Sequence, residues 1–531
     1  MSDGGRWPSI PAMLEAAAAR FGGRPAIEDG PTRFTFAALR DEARSFGAAL
    51  VAAGVEPGDR VAIWTANSVE WVVAMLGSSL VGAVLVPVNT RFKGGEAADI
   101  LRRSRARVLV TATDFLDTDY VEMLRSTGVE LPDLTTVVVA SGPVSAGAES
   151  WDAFIGRATD ADRRRVDERS AALGPEDPSD ILFTSGTTGT PKGVVMTHGR
   201  TLCTATDWVR MTGLSADDRY LMVNPYFHMF GFKGGILACV AGGATMLPQA
   251  VFDVDRVLAR IDRDRVTVLP GPPTIYQAIL DHPARGSHEL TSLRVAVTGA
   301  ADIPVELIRR VFDELPFSVV IAGYGLTEGG TAAGTSPGDA VETIATTVGR
   351  ARPGFELRIV DEHGVDVATG EAGELLIRGG SVMKGYLDDP EATQYALSPD
   401  GWLRTGDIGV LDDAGYLRIV GRIKDMFIVG GFNAYPAEIE NVLLRHPDIR
   451  QAAVIGVPDE RLGEVGMAFV VTGSGAGSGP EIIQWCRDQM ANYKVPRVVE
   501  IVDELPLNAA GKVVKDALRE QAVRGRSGVA P

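Results

Sequence analysis

Cysteine is nearly absent: three occur in 531 residues, Cys203, Cys239 and Cys486, far apart and with no CxxC pair. That scarcity argues against a disulfide framework or a structural zinc site and fits a reducing compartment. Met1–Arg20 lacks an apolar core flanked by basic residues, so no cleaved signal is expected. Basic residues are in the minority, 52 Lys and Arg against 69 Asp and Glu, a net charge of −17. A chain this acidic is a poor general binder of nucleic acid. Uninterrupted apolar runs are missing as well. The uncharged stretch Trp71–Val88 is broken by Gly77, Ser78, Ser79, Gly82 and Pro87. It reads as a buried helix followed by a buried parallel strand, not as a membrane span. A soluble, cytoplasmic protein without integral membrane association is expected.

With 45% apolar residues the chain can build several full cores, and its length suggests roughly two to five folding units. Phe36, Leu39, Ala43, Phe46 and Leu50 recur at helical spacing, and RVAIWT at Arg60–Thr65 follows as a buried strand. The alternation continues through RVLVT, RVTVLPG, LRVAVTG and SVVIAGYG, with a helix predicted over Pro304–Leu315. Repeated βα units predict an α/β fold of mostly parallel sheets with helices on their faces. Ligands then belong beyond the carboxyl ends of the strands. From about Gly354 short strands split by Gly and Asp turns predict a β-rich part. After Arg422 a compact α+β unit begins, with helices near Ala437–Arg445 and Glu481–Met490 and strands near Ala452–Val457 and Met467–Val471. A solvated loop is expected over GSGAGSGP at 473–480.

The segment Ile181–Gly193 carries the most chemical information. An apolar strand enters a loop of glycines and hydroxyl residues, followed by a lysine and a second apolar strand. Gly186, Gly189 and Gly193 let the backbone turn tightly and bring N–H groups to an anion. Thr184, Ser185, Thr187, Thr188 and Thr190 add hydroxyl donors, and Lys192 follows Pro191 with a positive charge. Such a loop suits nucleotide phosphates, although no GxxxxGK[ST] is present. YGLTE at Tyr324–Glu328 offers an aromatic face to a base and a carboxylate to a metal. WLRTGD ends in Asp407, suited to accept from two ribose hydroxyls.

These segments, with GRIKDMFIVGGFNAYPAEIE at Gly421–Glu440 and PLNAAGK at Pro506–Lys512, resemble in this order the adenylate-forming superfamily. That superfamily holds acyl-CoA ligases, luciferases and peptide-synthetase adenylation domains. NPYFHMFGFKGGILAC, VLPGPPTIYQAILDHPAR and VTGAADIPV further resemble actinobacterial acyl-CoA ligases of steroid breakdown. The resemblance implies a large adenylation domain over 1–423 and a small mobile domain over 424–531. It implies ATP, Mg²⁺ and coenzyme A, and a carboxylic acid activated as an acyl-adenylate, here a fused-ring steroid-derived propanoate. A homodimer is compatible with it.

The superfamily's roles fall on matching positions. Thr184–Lys192 would wrap the β- and γ-phosphates. Gly299, Ala300 and Ala301 would line the adenine, with Tyr324 stacked on it and Gly325 beside it. Thr327 would touch the α-phosphate, Glu328 would hold Mg²⁺, and Asp407 and Arg422 would bind the ribose. Lys512 would bridge the attacking carboxylate and the α-phosphate. Lys424 would be the hinge, and Gly430 and Gly431 would pass close to the pantetheine arm. Phe227, His228, Phe232, Lys233, Gly323, Gly329 and Gly330 would form the acyl pocket, the glycines leaving space for a wide acid. His228 would guard the route of the thiol. Lys233, a cation in an apolar run, either snorkels to the surface or contacts a polar group of the acid or coenzyme A.

Alternatives are weighed on the same residues. A medium- or long-chain fatty acid or an aryl acid would use the same machinery. An amino-acid-activating domain would want an acidic residue near Phe227–Phe230, where none occurs. GTSPG at Gly334–Gly338 matches the GxSxG of serine hydrolases, but Pro337 has no N–H for an oxyanion hole. An inactive nucleotide- or acyl-CoA-binding module would not need Lys192, Glu328 and Lys512 intact.

Overall fold

The structure, a computed structural model, describes residues 7–184, 191–299, 305–430, 432–473, 478–507 and 513–527. Two large sheets form the body. In one, strands Val319–Leu326, Val295–Gly299, Val268–Pro270, Arg219–Met222, Thr245–Pro248 and Pro25–Asp29 lie side by side and parallel. In the other, Pro178–Thr184, Val84–Pro87, Arg60–Trp64, Ala106–Ala112, Thr136–Ser141 and Glu149–Ser150 do the same. Antiparallel strands close both edges of the first, Gly330–Gly334 beside Val319–Leu326 and Thr32–Thr35 beside Pro25–Asp29, and one edge of the second, where Lys192–Thr197 lies beside Pro178–Thr184. The expected α/β class is what the helix-linked, two-face-buried strands produce.

Trp71–Val88 resolves as the sequence pattern predicts. Helix Val69–Leu80 is buried at every residue except Glu70, and strand Val84–Pro87 is buried throughout. The glycine that interrupts the apolar run is a packing device: a Cβ at Gly77 would lie 2.7 Å from the Ala43 carbonyl oxygen. Helix Phe36–Ala52 can approach only because that Cβ is missing, and it buries all five of its predicted core positions there. Among the described residues no helix is long and apolar enough to cross a membrane.

The β-rich part is an antiparallel sheet of Phe355–Val360, Gly373–Gly379, Leu403–Leu411 and Leu417–Arg422. The last unit wraps helices Pro436–Leu443, Gly479–Gln489 and Lys515–Ser527 around the hairpin Ile449–Asp459 and Gly463–Thr472. Both hairpin strands run longer than the apolar pattern predicts. The Asp459 carboxylate accepts from the Arg461 and Leu462 N–H groups at 3.0 and 2.9 Å, which fixes the turn and lets pairing continue to it. Of the predicted loop at 473–480, residues 474–477 lie outside the described residues. Thr184, Gly299 and Leu326 each stand at the carboxyl end of a parallel strand, where the fold places ligands.

Candidate active site

Glu328 sits in the turn after Val319–Leu326. Its Oε1 accepts from the Thr184 hydroxyl at 3.4 Å and from the Tyr386 hydroxyl at 3.2 Å. Thr184 is the register partner of Lys192, whose ammonium lies 5.1 Å above the Tyr386 ring centre. Burial pushes the Glu328 carboxyl above the ordinary carboxylate range. Hydrogen bonds from its own N–H, Tyr386 and Thr184, and the charge of Arg422, oppose that rise without cancelling it. A desolvated carboxylate among hydroxyl oxygens is a hard donor set, and it fits Mg²⁺. That ion typically takes one or two protein carboxylates and completes its shell with water and phosphate oxygens.

The second constellation comes from strand register. Asp407 and Arg422 face each other across the Leu403–Leu411/Leu417–Arg422 pair, with Arg422 Nε 3.0 Å from Asp407 Oδ1. Tyr324 donates its hydroxyl to Asp407 Oδ2 at 2.5 Å, and the Asp407 N–H donates to Thr405 Oγ1 at 3.1 Å. Asp407 is 4% exposed, whereas the Arg422 side chain is 52% exposed. A fixed buried anion thus carries a cation that reaches outward. Burial and the Asp407 charge push the Tyr324 hydroxyl far above its ordinary value, and Asp407 raises Arg422. Gly299 is the register partner of Gly323, and a Cβ on it would fall 2.5 Å from the Gly323 carbonyl oxygen. A Cβ at Gly325 would meet the Gly330 carbonyl oxygen at the same distance. Thr327 is half-buried between Leu326 and Glu328.

The acyl side departs from expectation. Phe227 and His228 are half-buried in a turn whose root Asn67 holds: its Nδ2 donates to the Met222 and Asn224 carbonyls at 2.9 Å each, and its Oδ1 accepts from the Tyr226 N–H at 2.8 Å. His228 Nδ1 accepts from the Phe230 N–H at 3.2 Å. Phe232 is a core residue, 1% exposed, its ring 6.2 Å from that of Trp71. Lys233 does not snorkel. Its side chain is 1% exposed and pairs with Asp180 at 3.0 Å, a carboxylate that is itself fully buried. The expected space at Gly329 and Gly330 is also filled. A Cβ at Gly329 would meet Ile377 Cδ1 at 2.4 Å, and one at Gly330, where φ is +70°, would meet Ser381 Oγ at 2.3 Å. Both glycines serve close packing instead. Only at Gly323 is there room, the nearest atom lying 3.7 Å from an added Cβ.

Ser185, Gly186, Thr187, Thr188, Gly189, Thr190, Ala300, Ala301, Gly431 and Lys512 lie outside the described residues; Pro191 is half-buried at the start of the strand bearing Lys192. Lys424 is exposed in the short turn Ile423–Asp425 that joins strands Leu417–Arg422 and Phe427–Val429. Its neighbour Asp425 pairs with Arg519 of the last helix at 3.0 Å. Gly430 has φ +56°, and its N–H donates to the Leu462 carbonyl at 2.8 Å. Ser336 of the GTSPG match is exposed in a turn closed by its own N–H and Asp339, 2.8 Å away. Tyr386, Asn67 and Asp180 escaped the sequence reading. Of these only Tyr386 leaves a trace, an aromatic in GYLDD after a Gly-rich turn.

Residues 14–387 match the AMP-binding enzymes, and residues 438–512 match the AMP-binding enzyme C-terminal domain. The chain belongs to the AMP-binding enzyme family. Within that family it is 48% identical over 517 residues to the methyl-dioxo-octahydroindenyl-propanoyl:CoA ligase of Rhodococcus jostii (strain RHA1), covering 97% of this chain and 98% of that one. It is 50% identical to the ligase of the same name from Mycobacterium tuberculosis (strain H37Rv), covering 96% and 98%. Among solved AMP-binding enzymes it is similar to an anthranilate CoA ligase in complex with anthranoyl-AMP, with a TM-score of 0.90 at 30% identity, covering 98% and 99%.

Proposed function

We propose that the protein is an ATP-dependent acyl-CoA ligase whose acid is a fused-ring propanoate. The observation that carries the acid is the 48% and 50% identity, over nearly the whole chain, to two ligases named for such an acid. The reaction type rests on the family and on the two charged constellations at the strand ends.

A carboxylate is a poor acyl donor because its leaving group would be oxide. Its oxygen attacks the α-phosphorus of ATP, an O–P bond forms, the α–β anhydride bond breaks, and pyrophosphate leaves. The thiolate of coenzyme A then attacks the acyl carbon of the acyl-adenylate, and AMP departs with the C–O bond electrons. Asp407, held by Tyr324 and Arg422, accepts from the ribose hydroxyls with the lone pairs its partners leave. Thr184 and Lys192 face the phosphates, and Glu328 would hold Mg²⁺, which when bound offsets the negative charge of the phosphate oxygens. Lys512 brings a cation to the two anions that must meet. His228 guards the thiol's approach, and Gly430 and Gly431 leave that approach unobstructed. The small domain, which draws two apolar cores from residues 427–522, turns about Lys424 between the half-reactions. Three widely spaced cysteines in 531 residues suit a cytoplasmic location.

AMP release with coenzyme A across indanedione propanoate, hexanoate, palmitate and benzoate tests the reading. The fused-ring acid is expected to have the highest kcat/KM. A better palmitate would overturn the acid, and no AMP with any acid would overturn the ligase.

A further inference from the structure

Lys233 is a charged side chain at the centre of an apolar body, and its surroundings show what it joins. It lies in a π-helical turn, Phe232–Leu237, between two α-helical turns, and that turn begins directly after the His228 segment. A π turn adds a residue to the helix and redirects the side chains around it, and such turns occur often at functional sites. Gly234 and Gly235 make this one possible. A Cβ at Gly235 would fall 2.8 Å from Met222 Cε, and one at Gly234 would fall 3.1 Å from the Trp208 ring.

The redirected ammonium meets Asp180, which is 0% exposed. Among the described residues no other group pairs with that nitrogen. The other carboxylate oxygen accepts from the Ser179 and Thr201 hydroxyls at 2.7 and 2.6 Å. His198, buried close by, is pushed down to about 4 by burial, so it is neutral at neutral pH and adds no second cation. Asp180 stands in strand Pro178–Thr184, whose last residue donates to Glu328. The ion pair therefore ties the acyl-side turn, held at its root by Asn67, to the strand that ends at the phosphate side.

A buried ion pair is a poor way to stabilise a core, because apolar residues of like volume often serve as well or better. A buried ion pair does tie two elements together at one defined point, which apolar packing does not. We propose that Lys233 and Asp180 are a positioning pair: they set the separation of the Phe227–His228 wall from the Thr184 strand, and hence the alignment of carboxylate and α-phosphate during adenylation. The proposal rests on the adenylating reaction above but not on the identity of the acid, since any carboxylate the wild type adenylates supplies the baseline.

The test is the double variant Asp180→Leu/Lys233→Met, measured by pyrophosphate exchange, by thioester formation from supplied acyl-adenylate, and by thermal unfolding. The expected protein folds, with a midpoint lowered by the acceptor that Ser179 and Thr201 lose. Its kcat for adenylation is at least tenfold lower with KM values for ATP and acid within threefold, and its thioester step is less affected. Wild-type adenylation in the folded double variant would overturn the proposal and leave the pair a packing feature. A loss confined to a raised KM for the acid would overturn it too, making Lys233 a substrate contact. If the double variant does not fold, Lys233→Arg decides, because it keeps the charge and changes the reach. Lowered kcat at unchanged KM in a stable protein supports the positioning role, and wild-type kcat overturns it.

Discussion

The half of the site proposed for the nucleotide and the half proposed for the acid are built by different means. On the nucleotide side, Asp407, Arg422, Tyr324 and Glu328 are placed by strand ends and hairpin register, and each partnership follows from which residue faces which. On the acyl side the turn at 224–231 belongs to no ladder. Side chains place it: Asn67 and Asn224, whose Nδ2 donates to the Pro270 carbonyl at 3.1 Å, at one end, and a buried ion pair just past the other. Regular hydrogen-bonded ladders fix geometry with backbone alone, so their side chains are free to do chemistry. An irregular turn must spend side chains on its own placement, and this is why polar residues such as Asn67 and Asp180 lie buried outside the reacting centre.

Predictions that strain this contrast begin with the largest effect. Lys512→Ala is expected to lower adenylation by ~10²–10³, the scale of a lost preorganised transition-state donor. Chemically supplied acyl-adenylate and coenzyme A should still give thioester near the wild-type rate. Equal loss in both steps would make the lysine structural or shared. Next, Asp407→Ala removes charge-assisted hydrogen bonds worth about 1.5–3 kcal/mol each. It should raise the KM for ATP by about 10- to 100-fold while leaving the KM for the acid unchanged. A parallel rise in both would mean that the two halves are not separately built.

The glycines divide the halves more finely. Gly330→Ala forces a Cβ into a left-handed backbone beside Ser381 and Thr204. About 1–3 kcal/mol of stability should be lost, read from urea unfolding, with the preference among acids unchanged. Gly323→Ala has room and should alter stability by less than about 0.5 kcal/mol. It should lower kcat/KM for the fused-ring acid more than for hexanoate. The reverse pattern would put the acyl space beside Gly330.

How much of this is legible in the sequence follows from the same contrast. YGLTE, WLRTGD and GRIK name the residues proposed for the nucleotide, and the structure brings them together because a short strand and its turn carry both the side chains and their geometry. The βα alternation likewise predicts the parallel sheets. A glycine by itself does not say whether its missing side chain leaves space or admits a neighbour, so Gly329 and Gly330 read as a pocket and prove to be contacts. Tyr386 reaches Glu328 across 58 residues, through a two-residue edge strand on Lys192–Thr197 that no local pattern announces. Lys233 reads as a surface or substrate cation because its partner belongs to another sheet-bearing segment altogether.

The smallest effect is one of stability, and its sign separates a metal site from a structural carboxylate. Burial holds the Glu328 carboxyl above its ordinary value of 4.5. Between the unfolded and folded values the native state binds the proton more firmly than the unfolded chain does. Stability contributed by this group is therefore full below the ordinary value and is lost as pH rises through the folded one. Glu328→Gln removes that ionisation while keeping an oxygen to accept from Thr184 and Tyr386. Without ligands, the variant should match the wild type in thermal midpoint near pH 4 and exceed it near pH 7. Mg²⁺ with ATP should stabilise the wild type and narrow or reverse the gap, because a ligand that binds only the native state adds stability and the amide is a weaker ligand than the carboxylate. A variant less stable than the wild type at pH 7 without metal would show that the buried anion is already compensated by the protein. The cation assigned to it would then have nothing to neutralise.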